Sequence, residues 1–496
     1  MSFEENLSSS TAEKAELERT DEEAKDADSL SVAEEVSEWK VMAKIDCRVV
    51  VMLVVMYVFA FLDRVNIGNA ALFGLKDDLH LGGNEYNTAL VIFFVPYIFF
   101  EILSNALMKH FRPHVWLSGC MLLFGITTCL QGLTQNYSGI LATRFFLGLF
   151  ECGMFPGGLY LLAMWYRRED ALKRCAFFFG SNNLAGAFGG LLATAIGKMD
   201  GMRGFRAWRW VFILEGALSC VVAVLLFFLI ADFPEEATWL TPAEKAFVKI
   251  RLKEDVGSSQ RDERITIKFA LSVISDYKVI AAGFMYLGLI TPAYGYAYFA
   301  PTIIQSLGHS AIQSQLLSVP PWVCAFVLAI SIAVFSDRLR HRFLFAVVPM
   351  ALALAGFSAL VATGEGGNER NLKYGALYLA ACGTFSAMPV VLCWFTTNLA
   401  GHRRRAIAIA WQVGFGNVGG IVSAYAFLAQ DAPRYITGYS LCIAFVCVSA
   451  LASCIYLVGC IWENRRRSRN APFSDGLSVQ EKESMGDLNP DYRYLY

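Results

Sequence analysis

From Val49 onward, long apolar runs alternate with short polar breaks. A helix needs about 20 apolar residues to cross a bilayer, and about twelve runs reach that length. They lie near 49–72, 87–108, 115–134, 139–165, 174–197, 208–231, 277–300, 314–336, 343–363, 372–395, 406–429 and 438–461. The longest internal polar stretch, Asp232 to Tyr277, divides them into two sets of six. The pattern predicts an all-α membrane protein with twelve transmembrane helices in two six-helix bundles. The expected divisions are a disordered acidic tail at 1–40, a first bundle at 41–231, a linker at 232–276, a second bundle at 277–462 and a tail at 463–496. Within the linker, Thr241-Pro242-Ala243-Glu244 reads as an N-capped helix start with proline at the first position.

Composition agrees with this class. The chain is 56% hydrophobic and 17% charged, with a mean hydropathy of +0.45; soluble domains are about 25% charged. The net charge of -1 says little, but its placement is informative. The acidic, serine-rich start has no signal-peptide pattern. Arg465, Arg466, Arg467 and Arg469 directly follow the last run. Basic clusters at Arg167–Arg174, Arg338–Arg342 and Arg403–Arg405 fall in even-numbered loops, which places both termini in the cytosol by the positive-inside rule. Lys198, Arg203, Arg206 and Arg209 dissent, in a loop placed outside.

Four charged residues interrupt apolar runs: Asp63 and Arg64 in the first, Arg144 and Glu151 in the fourth. Burying a charge in hydrocarbon costs roughly 2.5–3.5 kcal/mol on insertion scales, so each must face protein or a watery cavity. Two acids and two arginines form a self-neutralising set. Arginine holds a carboxylate through two parallel hydrogen bonds. A carboxylate deprived of water can exchange a proton near neutral pH. The pattern points to a proton-coupled carrier for an organic anion. Arg64 and Arg144 are the substrate-carboxylate candidates, and Asp63 and Glu151 the proton carriers. Arg144 and Glu151, seven residues apart, share a helix face at about 10 Å. A proton site arises if anion binding draws the arginine away from the acid. Asp63 and Arg64 are adjacent, so they point about 100° apart and serve different partners.

The seventh run reads as broken by Pro292, Gly295 and Pro301. Tyr294 and Tyr298, at i and i+4, share a face that can hold a ring or a carbonyl. Trp394, Asn398 and Gln412 are further candidates for substrate contacts, with Asn182, Asn183 and Asn417 beside them. Glu101 reads as a structural or gate group, and Glu215 as a group that either pairs with Arg144 or caps packing.

Several classes are excluded. No Walker sequence drives transport with ATP. The histidines lie at or near span ends or in loops, and no C-x-x-C pair exists, so no cofactor and no enzyme activity is expected. Gly414-x-Gly416-x-x-Gly419 matches a dinucleotide fingerprint by pattern, but it follows no strand and lies in an apolar run. A weak repeat explains these glycines better. Arg174 leads to Gly186-Ala-Phe-Gly189-Gly190 in the fifth run, as Arg405 leads to Gly416-Asn-Val-Gly419-Gly420 in the eleventh.

Phe61-Leu62-Asp63-Arg64-Val65-Asn66-Ile67-Gly68-Asn69-Ala70 resembles the first-helix signature of fungal anion:cation symporters of the major facilitator superfamily. Arg144-Phe-Phe-Leu-Gly148-x-x-Glu151-x-Gly153-x-x-Pro156 is similar to that family's fourth helix, and Trp208-Arg209-Trp210 through Glu215-Gly216 to its sixth. Phe299-Ala-Pro301 also fits, and Gly486-Asp-Leu-Asn-Pro490-Asp-Tyr-Arg-Tyr resembles the tail of nicotinate and allantoate permease relatives. Ser336-Asp337-Arg338 resembles the superfamily's loop motif, which implies a gate role for Asp337 and Arg338. The matching loop of the first half carries Asn105 where the superfamily has aspartate. The resemblance implies the major facilitator fold and proton symport of a small organic anion by a monomer in the plasma membrane. It also implies no nucleic-acid partner. Nicotinate, pantothenate, biotin and allantoate fit alike. Export of an acidic metabolite and a transporter-like sensor are the alternative readings.

Overall fold

The computed structural model describes residues 37–108, 111–256, 266–339, 341–363, 369–399, 402–469 and 492–496. Most of the expected acidic tail, at 1–36, lies outside the described residues, as do 257–265 of the linker and 470–491 of the second tail.

The first bundle comprises α1 (Val50–Leu72), α2 (Glu85–Met108), α3 (Pro113–Gln131), α4, α5 (Arg168–Ile196) and α6 (Ala207–Leu229). Helix α4 has two parts, Tyr137–Glu151 and Met154–Trp165. The second bundle comprises α7 (Tyr277–Ser306), α8 (Ala311–Leu339), α9 (Arg342–Ala362), α10 (Glu369–Thr397), α11 (His402–Ala426) and α12 (Ile436–Arg469). Among the described residues, ten helices are long and apolar enough to cross a membrane. Helices α2 and α5, of 24 and 29 residues, run with them. A further helix, Glu38–Arg48, leads into α1 and starts inside the segment expected to be a tail.

Local chemistry sets the starts. Asn136 caps α4 by accepting from Gly139 N at 2.8 Å, and Asp276 caps α7 by accepting from Lys278 N at 2.9 Å. In the linker, Thr241 N donates to Glu244 at 2.8 Å, and Glu244 N donates to Thr241 Oγ1 at 3.3 Å. This reciprocal box starts the helix Pro242–Val256. The linker helix is tied back to the first bundle by Lys44–Glu244 and by Arg251, which bridges Asp170 and Glu38.

The bundles repeat one packing plan. In the first, α1 packs on α5, α2 on α4 and α3 on α6; in the second, α7 packs on α11, α8 on α10 and α9 on α12. The halves meet through α1 with α7, α2 with α11 and α5 with α8. Burial follows position. In α7, 89% of the most apolar stretch is buried, against 28% in α8. The outer helices expose apolar rows such as Val221, Leu225 and Phe228 on α6 and Leu451, Ile455 and Val458 on α12. Such rows face lipid rather than water.

One expectation is corrected. Helix α7 is not broken: it runs unbroken from Tyr277 to Ser306 through Pro292 and Pro301. Almost all of α7 is buried among other helices, and neighbouring helices let a spanning helix tolerate proline.

Candidate functional site

The bundles enclose a small central cavity. It is lined by Tyr57, Phe61 and Arg64 of α1, Tyr97 of α2, Phe155 of α4 and Asn182 of α5. From the other bundle come Tyr286, Ile290, Ala293 and Tyr294 of α7, Phe385 and Met388 of α10, and Val413 and Asn417 of α11. The free space is ≈ 20 Å³, about one water. The chain is thus closed tightly around the centre.

Arg64 is the cavity's cation. Its Nε donates to Glu151 Oε1 at 2.9 Å, and Nη2 donates to the same oxygen. Its Nη1 donates to the Tyr294 hydroxyl. The guanidinium lies 4.8 Å from the Tyr97 ring centre and 5.0 Å from that of Phe93. One side chain therefore ties α1, α2 and α4 to α7 of the other bundle.

Arg144 sits differently. It is fully buried, and both terminal nitrogens donate to the Arg64 backbone carbonyl at 3.2 Å. Its Nε has no hydrogen-bond partner, and among the described residues no carboxylate lies within 4.0 Å of it. Tyr298, Tyr86 and Glu151 lie within electrostatic reach. The expected set of four charges does not close on itself. Asp63 turns the other way and accepts from Ser219 Oγ of α6 at 2.8 Å. Glu215, one turn from Ser219, is buried with neither oxygen bonded. Among the described residues no cation pairs with either acid. At the centre, Arg64 and Arg144 both face Glu151, and Glu101 of α2, buried with neither oxygen bonded, lies within electrostatic reach of Arg64.

Close backbone approach fixes this arrangement. The turn between the two parts of α4 follows Glu151 directly, and a Cβ on Gly153 would lie 2.1 Å from Ser104 Oγ of α2. A Cβ on Gly68 would lie 2.6 Å from the Tyr298 carbonyl oxygen. That contact is near the face opposite to the one where α1 begins and α12 ends. The same face is sealed by Asn87, which donates to the carbonyls of Ala424 and Phe427. Gln315 also donates to the Asn69 carbonyl there, at 3.4 Å.

The remaining candidates fall in several places. Tyr298 stacks on Tyr294, with ring centres 5.6 Å apart, and its hydroxyl has no hydrogen bond. Gln412 is buried on α11 and donates to the Ala282 carbonyl at 3.5 Å. Trp394 and Asn398 lie at the far end of α10, outside the cavity, and both bond the Leu495 carbonyl at 2.9 Å. Arg338 is exposed near the end of α8, and the side chain of Asp337 lies outside the described residues. Sequence reasoning missed the aromatic wall. Its signal is the spacing of Tyr57, Phe61 and Arg64 at i, i+4 and i+7, one face of α1.

The sequence model described as the Major Facilitator Superfamily matches residues 53–424. The MFS transporter prlL of a fungal species is 34% identical over 88% of this chain and 89% of its own length. The high-affinity nicotinic acid transporter of Saccharomyces cerevisiae is 28% identical over 92% of this chain and 85% of its own. Among solved structures, a bacterial homolog of the human lysosomal transporter Spinster, in an inward-facing and occupied conformation, superposes with a TM-score of 0.60. It shares 14% identity and covers 83% of this chain and 96% of its own, a likeness of fold alone.

Proposed function

The chain belongs to the Major Facilitator Superfamily, and from that premise we propose that it carries a small organic anion together with protons. Members move small molecules across membranes, so this is a multi-pass membrane transporter rather than an enzyme. The observation that carries the finer reading is Arg144. It is a fully buried cation that meets a backbone carbonyl where a carboxylate partner would be expected. A buried arginine is costly without a counter-charge. A substrate carboxylate supplies one, and the planar guanidinium suits it.

The aromatic wall of Tyr57, Phe61, Tyr97, Tyr294 and Phe385 favours an anion with a flat ring. The named substrate of the yeast relative, nicotinic acid, is of this kind. In this reading Arg144 and Arg64 receive the carboxylate and Tyr294 and Tyr298 flank the ring. Glu151 takes a proton as Arg64 is drawn from it to the substrate. Asp63, held by Ser219, is the second proton carrier. The halves at 41–231 and 277–462 rock as two bodies across the linker, both termini are cytosolic, and the protein works as a monomer in the plasma membrane. The test is uptake of radiolabelled ring carboxylates, aliphatic carboxylates and neutral amides in a yeast strain lacking its own permeases. Uptake of a ring carboxylate in preference to its amide supports the reading, and uptake of the amide alone refutes it.

A further inference from the structure

The short segment Tyr492–Tyr496 returns to the second bundle at the face where α12 ends, and the bundle holds it by its backbone. Asn464 of α12 donates to the Tyr494 carbonyl and accepts from the Tyr494 N–H, both at 2.9 Å. Asn398, just past the end of α10, does the same for Leu495, donating at 2.9 Å and accepting at 2.7 Å. Two consecutive residues are thus each clasped by one amide side chain, which reads N–H and C=O together as a neighbouring strand would. Trp394 adds a second donor to the Leu495 carbonyl, and Arg467 donates to the Tyr492 carbonyl at 3.0 Å.

Side chains complete the grip. Tyr494 is 3% exposed, and its hydroxyl accepts from Lys278 Nζ at 2.6 Å. The Tyr492 hydroxyl donates to the Thr397 carbonyl at 3.1 Å, near the end of α10. Asn398 and Trp394 are themselves buried, and buried amides are costly when left unbonded. The site is built for this backbone. It also joins helices with different duties. Helices α7 and α10 line the central cavity, whereas α12 faces outward.

We propose that this mouth of the second bundle is a receptor for an extended peptide, occupied in cis by Tyr492–Tyr496, whose docking pins the ends of α7 and α10 to α12. The segment is then an internal brake: α10 moves at that end only when the peptide leaves. This stands apart from the identity of the substrate and from proton coupling.

Hydrogen exchange on the full chain in lipid nanodiscs tests it without any substrate. In the wild type, the amides of Tyr494 and Leu495 exchange at least about tenfold slower than in a free peptide of the same sequence. Asn464→Ala and Tyr494→Phe raise that exchange, and exchange over 394–399 rises with it. Protection elsewhere, as in α3, stays as in the wild type. Should Asn464→Ala fail to fold, excess synthetic Tyr-Arg-Tyr-Leu-Tyr added to the wild type displaces the segment and gives the same readout. Exchange of the wild-type segment at the free-peptide rate overturns the receptor. Protection that appears only at high protein concentration overturns docking in cis. A released segment with unchanged exchange over 394–399 overturns the brake.

Discussion

Arg144 donates both terminal guanidinium nitrogens to the backbone carbonyl of Arg64 at 3.2 Å. The residue whose backbone it holds gives its own side chain to Glu151. On the proposed reading the two arginines differ in role: Arg64 is charge-paired with Glu151, and Arg144 receives the incoming anion. Arg144→Lys keeps the charge and loses the planar fork. A hydrogen bond to a charged group contributes about 1.5–3 kcal/mol, so apparent affinity for the anion falls by roughly 10- to 150-fold. Surface delivery stays normal. Concentration-dependent uptake measures this, and a wild-type KM in the lysine variant contradicts the assignment.

The close approach at Gly68 makes a second expectation. A methyl group there meets the Tyr298 carbonyl oxygen at 2.6 Å, and backbone cannot step aside as a side chain can. Overpacking of this kind costs about 1–3 kcal/mol. Gly68→Ala therefore shifts the population away from the form closed at that face. A reporter cysteine replacing Gln315, in a cysteine-depleted background, should become more reactive toward a membrane-impermeant thiol reagent. Unchanged labelling would show that the contact does not seal the face.

Much of the architecture was legible because a bilayer imposes a simple length rule. The apolar runs and the polar divider at Asp232–Tyr277 report the spans and their connection, and the glycine repeats of α5 and α11 report close packing, with Trp322 against Gly186 and Tyr286 against Gly416. What was not legible is which way adjacent side chains point. Nothing in the string Asp63-Arg64 says that the acid faces Ser219 of α6 while the base faces Glu151 of α4. The helical angle between them foretells different partners but not their names. Trp394 and Asn398 read as cavity residues because polar and aromatic groups in apolar runs suggest a substrate. Their partner is instead Leu495, about a hundred residues away, a contact that no local pattern encodes. The prolines of α7 likewise read as breaks, because burial on every side is a tertiary property.

Asp63 is expected to act separately from the arginines. Asp63→Asn retains an oxygen for Ser219 and removes the charge. It should bind and exchange substrate across the membrane yet accumulate less than the wild type under an imposed pH gradient. Ser219→Ala, which removes the 2.8 Å bond, should lower uptake more mildly, since one hydrogen bond to a charged group is lost and both helices remain. Full accumulation by Asp63→Asn would return Asp63 to a packing role.

On the proposed reading, the Arg64–Glu151 pair couples anion and proton. The most direct test of that coupling uses Glu151→Gln in reconstituted vesicles, with counterflow and gradient-driven accumulation measured on the same preparation. Glutamine imitates the protonated acid permanently. This variant should exchange radiolabelled anion across the membrane at a rate near wild type but no longer concentrate it when a pH gradient is imposed. Collapsing the gradient should abolish wild-type accumulation. Accumulation by Glu151→Gln as steep as in the wild type, with wild-type accumulation indifferent to the gradient, would contradict the coupling.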